Sequence, residues 1–309
     1  MKYLVTGGAG FIGSHLVDKL IKKGNRVVVI DNLSGGKKEN LNPRAKFYKI
    51  DFGSPAIGRI LKKERPEVVF HYAAQIDVVK SIKDPRSDAK TSYLGTIQFL
   101  DGCRKAGVKR VIFASSVGVF GDSKNLPLRE NEPLNPLSPY SVNKLAIEKY
   151  LNFCQSMGWL DFVCLRYANV FGPRQKSAGE GGAVAIFTDC VLKGKRPTIF
   201  GNGLQTRDFL YVEDAVISAI SAIGAAPGSI YNVGTNKEIN VKNLLKLVCL
   251  KIGKSIKPAF SSFRQGEIIR SRVDYSKIKK DLGWRPQYSL EEGLEETIKW
   301  FKGQIINFK

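Results

Sequence analysis

Val/Ile-rich segments at residues 2–6, 26–30, 46–50, 67–72, 110–115 and 162–167 are too short for helices and read as strands. Helix-period patterns over 12–23, 54–63, 88–106 and 139–157 separate them. Gly24-Asn25 supplies the left-handed cap that ends the first of these. Strands and helices alternating in this way build right-handed βαβ units, so the chain is predicted to be α/β, with a parallel sheet covered on both faces. After about residue 167 the rhythm breaks. Gly172-Pro173-Arg174 and Gly179-Glu180-Gly181-Gly182 mark loops, and helical stretches return near 213–224, 241–252 and 290–302. The expected organisation is one domain over 1–167 and a smaller α/β lobe over 168–309, with segments near 210–233 rejoining the first domain.

Composition limits the function classes. With 309 residues and 43% hydrophobic content the chain can bury a substantial core. No apolar run reaches the length of about 18 residues that marks a membrane-spanning helix. A strand beginning at Lys2 leaves no room for a signal peptide, so a cytoplasmic location is expected. The five cysteines form no CxxC pair and there are only two histidines, so no metal site is expected. The net charge of +21 raises nucleic acid or a membrane surface as partners. The charge is nevertheless spread out, with pairs such as Lys22-Lys23, Lys37-Lys38, Lys62-Lys63 and Lys279-Lys280 on helix faces and loops. The reading is a solvated surface that attracts an anionic small molecule, with no nucleic-acid partner; weak, salt-sensitive polyanion binding is the alternative.

Gly7-Gly8-Ala9-Gly10-Phe11-Ile12-Gly13 follows the first strand and opens the first helix. In such a turn Gly7 permits the tight bend, Gly10 lets the backbone approach a pyrophosphate, and Gly13 lets the helix pack closely on the sheet. The helix N-terminus offers free N–H groups and a positive dipole end to phosphates. The second strand runs into Asp31, where a carboxylate takes ribose hydroxyls and repels a 2′-phosphate. Asn32-Leu33-Ser34 supplies no arginine. A Rossmann-type doubly wound sheet binding NAD, rather than NADP, is therefore expected.

Tyr140 and Lys144 stand four residues apart, on one helix face, behind Pro139 at the first turn. A phenol titrates near pH 10 when unperturbed, and a nearby ammonium favours phenolate. Tyr140 is thus expected to act as a base with a lowered pKa, and Lys144 to hold the nicotinamide ribose as well. Ser115 and Ser116 close the fifth strand at the end where open α/β sheets place ligands. A hydroxyl there bridges the Tyr140 oxygen and a substrate hydroxyl.

These residues, with Asp51-Phe52, His71-Tyr72-Ala73-Ala74-Gln75, the run Arg166-Tyr167-Ala168-Asn169-Val170-Phe171-Gly172-Pro173-Arg174, Arg207-Asp208-Phe209 and Arg264-Gln265-Gly266-Glu267, stand in one order over nearly the whole chain. The sequence resembles an extended short-chain dehydrogenase/reductase of the nucleotide-sugar epimerase group. That resemblance implies roles. Asp51 and Phe52 meet the adenine, Asn32 lies beside Asp31, and Ala73, Ala74 and Gln75 line the nicotinamide side. Ser116 is the catalytic hydroxyl and Tyr140 the base. Asn169 touches the diphosphate, Phe200 and Thr198 lie at the uracil, Arg207 and Arg264 clamp the diphosphate, and Glu267 holds the nucleotide ribose. The implied reaction is 4-epimerisation of a UDP-hexose through a transient 4-keto sugar, with NAD retained throughout and the chain a homodimer packed through the helices near 88–106 and 139–157. Ser271 is implied at a hexose-pocket wall where a bulky tyrosine excludes N-acetyl groups, which extends the expected substrates to UDP-GlcNAc and UDP-GalNAc. Two residues depart from the pattern: Ser92 stands where an asparagine is usual, and Phe120 where a tyrosine is often seen before Gly121. UDP-glucuronate 4-epimerisation is the nearest alternative. A non-catalytic NAD-binding sensor or polyanion binder is the alternative from another class.

Overall fold

Seven parallel strands pair into one sheet: β1 (Lys2–Thr6), β2 (Arg26–Asp31), β3 (Lys46–Lys49), β4 (Val68–His71), β5 (Arg110–Ser116), β6 (Asp161–Tyr167) and a strand at Ser229–Val233. The computed structural model describes residues 1–177, 182–264 and 266–306; Gly179, Glu180 and Gly181 of the glycine-rich loop, and Gln265, lie outside them. In space the order is Ser229–Val233, β6, β5, β4, β1, β2, β3. The winding therefore reverses between β1 and β4, and a crevice opens at their carboxyl ends.

Alternation along each strand divides two apolar layers. Tyr3, Val5, Val27, Val29 and Phe70 pack with Leu16, Val17 and Leu20 of the helix Phe11–Lys22 and with Ala215 and Ala219 of the helix Val212–Ser221. Leu4, Val28, Ile30, Val69 and Phe113 face the other way, onto Ile57, Leu61, Phe99, Ile147 and Leu151. Both faces are thus buried, which is why these strands carry unbroken apolar runs. A third apolar cluster is built on residues from the C-terminal half of the chain, Phe171, Phe187, Ile199, Tyr211, Leu244, Leu245 and Leu294.

Three differences from the sequence reading concern the larger elements. The helix expected over 88–106 is three pieces: a turn at Pro85–Asp88, a π-helical segment at Ala89–Leu94, and the helix Gly95–Lys105. The helix Ala183–Leu192 has no counterpart in the reading, because its apolar residues surround it and leave no one-sided period. The strand Ser229–Val233 was covered only by the broad span 210–233, and its alternation is masked by Ser229 and Asn232. No helix among the described residues is long and apolar enough to cross a membrane.

Candidate active site

The glycine turn sits at the crevice. Gly7 adopts φ 71°, and its carbonyl accepts from the Gly10 amide at 3.0 Å. A Cβ on Gly7 would lie 2.8 Å from the Ala73 nitrogen, so the turn and the segment after β4 touch. A Cβ on Gly13 would lie 2.2 Å from the Gly7 carbonyl oxygen. Gly13 is thus required by the turn itself more than by the sheet, which corrects the role read from the sequence. Overpacking of this kind costs about 1–3 kcal/mol. Gly13→Ala is expected to lower the NAD that stays bound through purification by roughly tenfold, read as nucleotide released on denaturation; wild-type retention would contradict this.

The residues present fit a dinucleotide. The helix Phe11–Lys22 has no side-chain cap and no acid in its first turn, so its leading N–H groups are left for an anion. Asp31 is buried and accepts from the amides of Ala9 at 3.0 Å and Leu33 at 2.8 Å. A carboxylate has about four acceptor positions, so capacity remains for ribose hydroxyls. Asn32 donates to Asp51 at 2.8 Å, joining the loops after β2 and β3. Phe52 is different. Its ring is 6% exposed and meets His71 edge-on at 5.0 Å, so the ring is packed in the core. Phe11 and Ile12 direct their side chains onto the C-terminal cluster. His15 bonds the Pro173 carbonyl (3.0 Å) and Arg174 pairs with Asp18 (2.8 Å), tying the same helix to the loop after Phe171, and Lys19 pairs with Glu213 (3.1 Å) of the helix Val212–Ser221.

Ser116, Tyr140 and Lys144 meet at the end of β5. Ser138 caps the helix Pro139–Ser156 by accepting from the Ser141 amide, with Pro139 in the first turn. Ser116 accepts from the Gly118 amide at 3.1 Å, which orients its hydroxyl. Ser115 points into the core and donates to Glu148 at 2.5 Å. The Tyr140 phenol is pushed up to about 12 by burial, with a hydrogen bond from Ser116 opposing and the charge of Asp88 adding to the rise. The lowered value expected from the sequence is not found in the protein alone. Lys144 does not bond the phenol: its Nζ donates to the Ala114 carbonyl at 2.6 Å and lies 5.7 Å from the Tyr140 ring centre. Burial pulls Lys144 down to about 8, against the charge of Asp88.

A second group gathers from the C-terminal half of the chain. The Arg264 guanidinium lies 3.8 Å from the Phe200 ring centre. Arg207 pairs with Glu267 at 3.3 Å, and Gln205 donates to the same carboxylate. The other Glu267 oxygen is buried without a partner. Asn169 and Thr198 are exposed beside this group's strands. Asp122, just past β5, accepts from the Ile269 amide at 2.8 Å and its charge reaches Arg207, so the two groups adjoin. Ser271 is 3% exposed, in the segment that pairs with Leu128 through Val273.

The sequence over residues 3–234 matches the model of the family described as NAD dependent epimerase/dehydratase. The chain belongs to that family. It is an extended short-chain dehydrogenase/reductase with a relative in Mycolicibacterium smegmatis, UDP-glucose 4-epimerase, at 41% identity over 98% of this chain and 99% of the relative. A UDP-glucose 4-epimerase from Thermotoga maritima, crystallised with UDP-glucose, superimposes with a TM-score of 0.96 at 44% identity, covering 99% of this chain and 100% of that one. A UDP-N-acetylglucosamine 4-epimerase from Methanobrevibacter ruminantium, in complex with UDP-N-acetylmuramic acid, gives 0.93 at 36% identity over 98% of both chains.

Within this epimerase/dehydratase framework the structure also joins Thr6, Asp88, Thr96 and Asn143, which the sequence reading passed over, to His71, Gln75 and Ser92. Thr6 accepts from the amides of Tyr72 and Ala73, so its proton goes to His71 Nδ1 at 2.7 Å. His71 is kept neutral, pushed down to about 3 by burial and by Lys144. Its Nε2–H then donates to Thr96 at 2.9 Å, and Thr96 donates to the Ser92 carbonyl at 2.5 Å. Ser92 donates to buried Asp88 at 3.1 Å, which also accepts from Asn143 at 2.8 Å and Gln75 at 3.2 Å. A continuous polar chain therefore runs from the glycine turn to the Tyr140 helix. Asp88 lay inside an expected helix and carried no motif, so no pattern in the sequence singled it out.

Proposed function

We propose that this protein is a 4-epimerase of UDP-hexoses that keeps NAD bound through the catalytic cycle. The observation that carries this reading is the meeting of Ser116, Tyr140 and Lys144 beside the β1/β4 crevice. Held by the Gly7–Gly13 turn and Asp31, oxidised NAD would supply the acceptor, and once reduced the donor, of the C4 hydride. Tyr140 takes the proton of the C4 hydroxyl as hydride leaves C4, and returns it to the same oxygen when hydride comes back to the opposite face of C4. Ser116, held by the Gly118 amide, bridges the phenol and that hydroxyl. Lys144 holds its ammonium beneath the Tyr140 ring. Arg207 and Arg264 grip the diphosphate with planar, multidentate donors. Binding is thereby concentrated on the nucleotide, which frees the hexose to turn. The test is incubation with UDP-glucose and no added cofactor. UDP-galactose should form without free NADH, and denaturation should release NAD; accumulating NADH would instead mark a net dehydrogenase.

Ser271 extends the reading to N-acetylated sugars, since a side chain this small leaves room beside the hexose. NMR of the products should show turnover of UDP-GlcNAc as well as UDP-glucose. Ser271→Tyr should cut the first at least about tenfold and spare the second, and equal loss of both would remove Ser271 as the selector. We place the enzyme in the cytoplasm, where its five unpaired cysteines stay reduced. It acts as a homodimer through the helices that carry exposed Leu94 and Phe153, which light scattering checks.

A further inference from the structure

Asp88 is 2% exposed and forms no ion pair among the described residues, yet three side chains converge on it. Each comes from a different functional segment. Gln75 belongs to the loop after β4 that touches the glycine turn, Ser92 to the π-helical segment, and Asn143 to the helix that carries Tyr140 and Lys144. A π-helical segment stores local irregularity and is frequent at functional sites. Here Asp88 stands just before it and buried Ser92 lies within it. Burying a carboxylate with amide and hydroxyl donors, but no cation bonded to it, is costly unless its charge is used.

The charged and titratable groups around the catalytic pair narrow that use. Lys144 faces Asp88, Glu148 on its own helix, Cys164 from β6 and His71 from β4. Glu148 is held by Arg166 at 2.7 Å, burial keeps the Cys164 thiol protonated, and His71 is neutral. Tyr140 faces Ser116 and Asp88. Asp88 is the carboxylate common to both.

We propose that Asp88 is a positioning residue for the reaction, a buried carboxylate that pins the Tyr140–Lys144 helix to the cofactor-side loop and keeps Lys144 an ammonium while Tyr140 exchanges its proton. This rests on the epimerase reading above. Its negative charge opposes ionisation of the phenol and supports protonation of the amine. Removing the charge therefore favours phenolate and disfavours ammonium, so both groups titrate at lower pH.

The test is the pH dependence of kcat for UDP-glucose epimerisation. Asp88→Asn is isosteric: its Oδ1 can still accept from Gln75, which Asp77 holds in place, and from Ser92, while the Asn143 amide turns to accept from the new Nδ2, so the change removes little but the charge. Both limbs of the profile should move toward acid by roughly one pH unit, with NAD content unchanged. Asp88→Ser, whose gap admits a water, is the second charge-free variant and should shift the limbs alike. Asn143→Ala keeps the charge and cuts the tether, and should lower kcat several-fold with both limbs in place. Limbs that stay put in whichever charge-free variants fold overturn the proposal, as does an Asn143→Ala variant with wild-type kcat. A wild-type protein that fails to epimerise any UDP-hexose overturns the functional reading instead.

Discussion

Tyr140→Phe should lower turnover of UDP-glucose by about 10²–10⁴-fold and leave the protein folded with NAD bound. The substitution removes one oxygen. The ring keeps its place at the start of the capped helix, and Lys144 keeps its bond to the Ala114 carbonyl. What disappears is the acceptor for the C4 hydroxyl proton, which no other group replaces: Ser116 lacks the basicity, and Lys144 is turned toward a carbonyl. Burial pushes the phenol up to about 12, so positive charge beside it, that of Lys144 included, is needed for it to act as a base near neutral pH. Stopped-flow turnover, NAD released on denaturation and a thermal melt separate the outcomes. Activity within a few-fold of wild type would remove Tyr140 as the base. Loss of NAD together with activity would make it a structural residue of the cofactor pocket.

Glu148→Ala should destabilise the fold by about 3–5 kcal/mol, the range found when one partner of a buried ion pair is deleted. Glu148 and Arg166 are 2% and 3% exposed and joined by several hydrogen bonds, the shortest at 2.7 Å. Arg166 also donates to the Glu130 carbonyl, and its guanidinium lies 4.9 Å from the Phe120 ring centre. Removing the carboxylate strands a guanidinium in the interior and leaves Ser115 without its acceptor. Urea denaturation measures the effect. A loss below about 1 kcal/mol would show that water reaches Arg166 and that the pair is not truly dry. Replacing both partners by apolar residues of similar volume should cost less than the single change, because no unpaired charge is left behind.

Arg166 shows how far a motif can be read. It belongs to the ordered run that identified the group, but its place in the core followed from no spacing; only the neighbouring β5, β6 and catalytic helix make it structural. Periodicity found β1 to β6 because both faces of the sheet are buried and the runs are unbroken. The glycine turn, Asp31 and the Tyr140/Lys144 pair were readable because each depends on neighbours within one strand–turn–helix unit. The Asp88–Asn143–Gln75 cluster was not, since its members lie in three segments and meet only in the tertiary structure. The orientation of the Phe52 ring was not legible for a related reason. A residue number locates a backbone beside a ligand, but whether the ring turns toward the ligand or into the core depends on Phe99 and His71, which arrive from elsewhere.

The strand at Ser229–Val233 has a consequence for the chain while it is being made. It lies against β6, with Tyr231 opposite Leu165, and nothing translated before it can close that side of the sheet. The ribosome delivers β6 some 60 residues earlier, which at about 5–20 residues per second is roughly 3–12 s of synthesis. During that interval the nascent sheet presents Phe162-Val163-Cys164-Leu165 as an unpaired apolar edge, the kind of surface to which other chains add. Slow codons or truncation between Tyr167 and Ser229 would lengthen that exposure or make it permanent, so the yield of soluble protein depends on the pace at which the stretch carrying Asn169, Phe200 and Arg207 is translated.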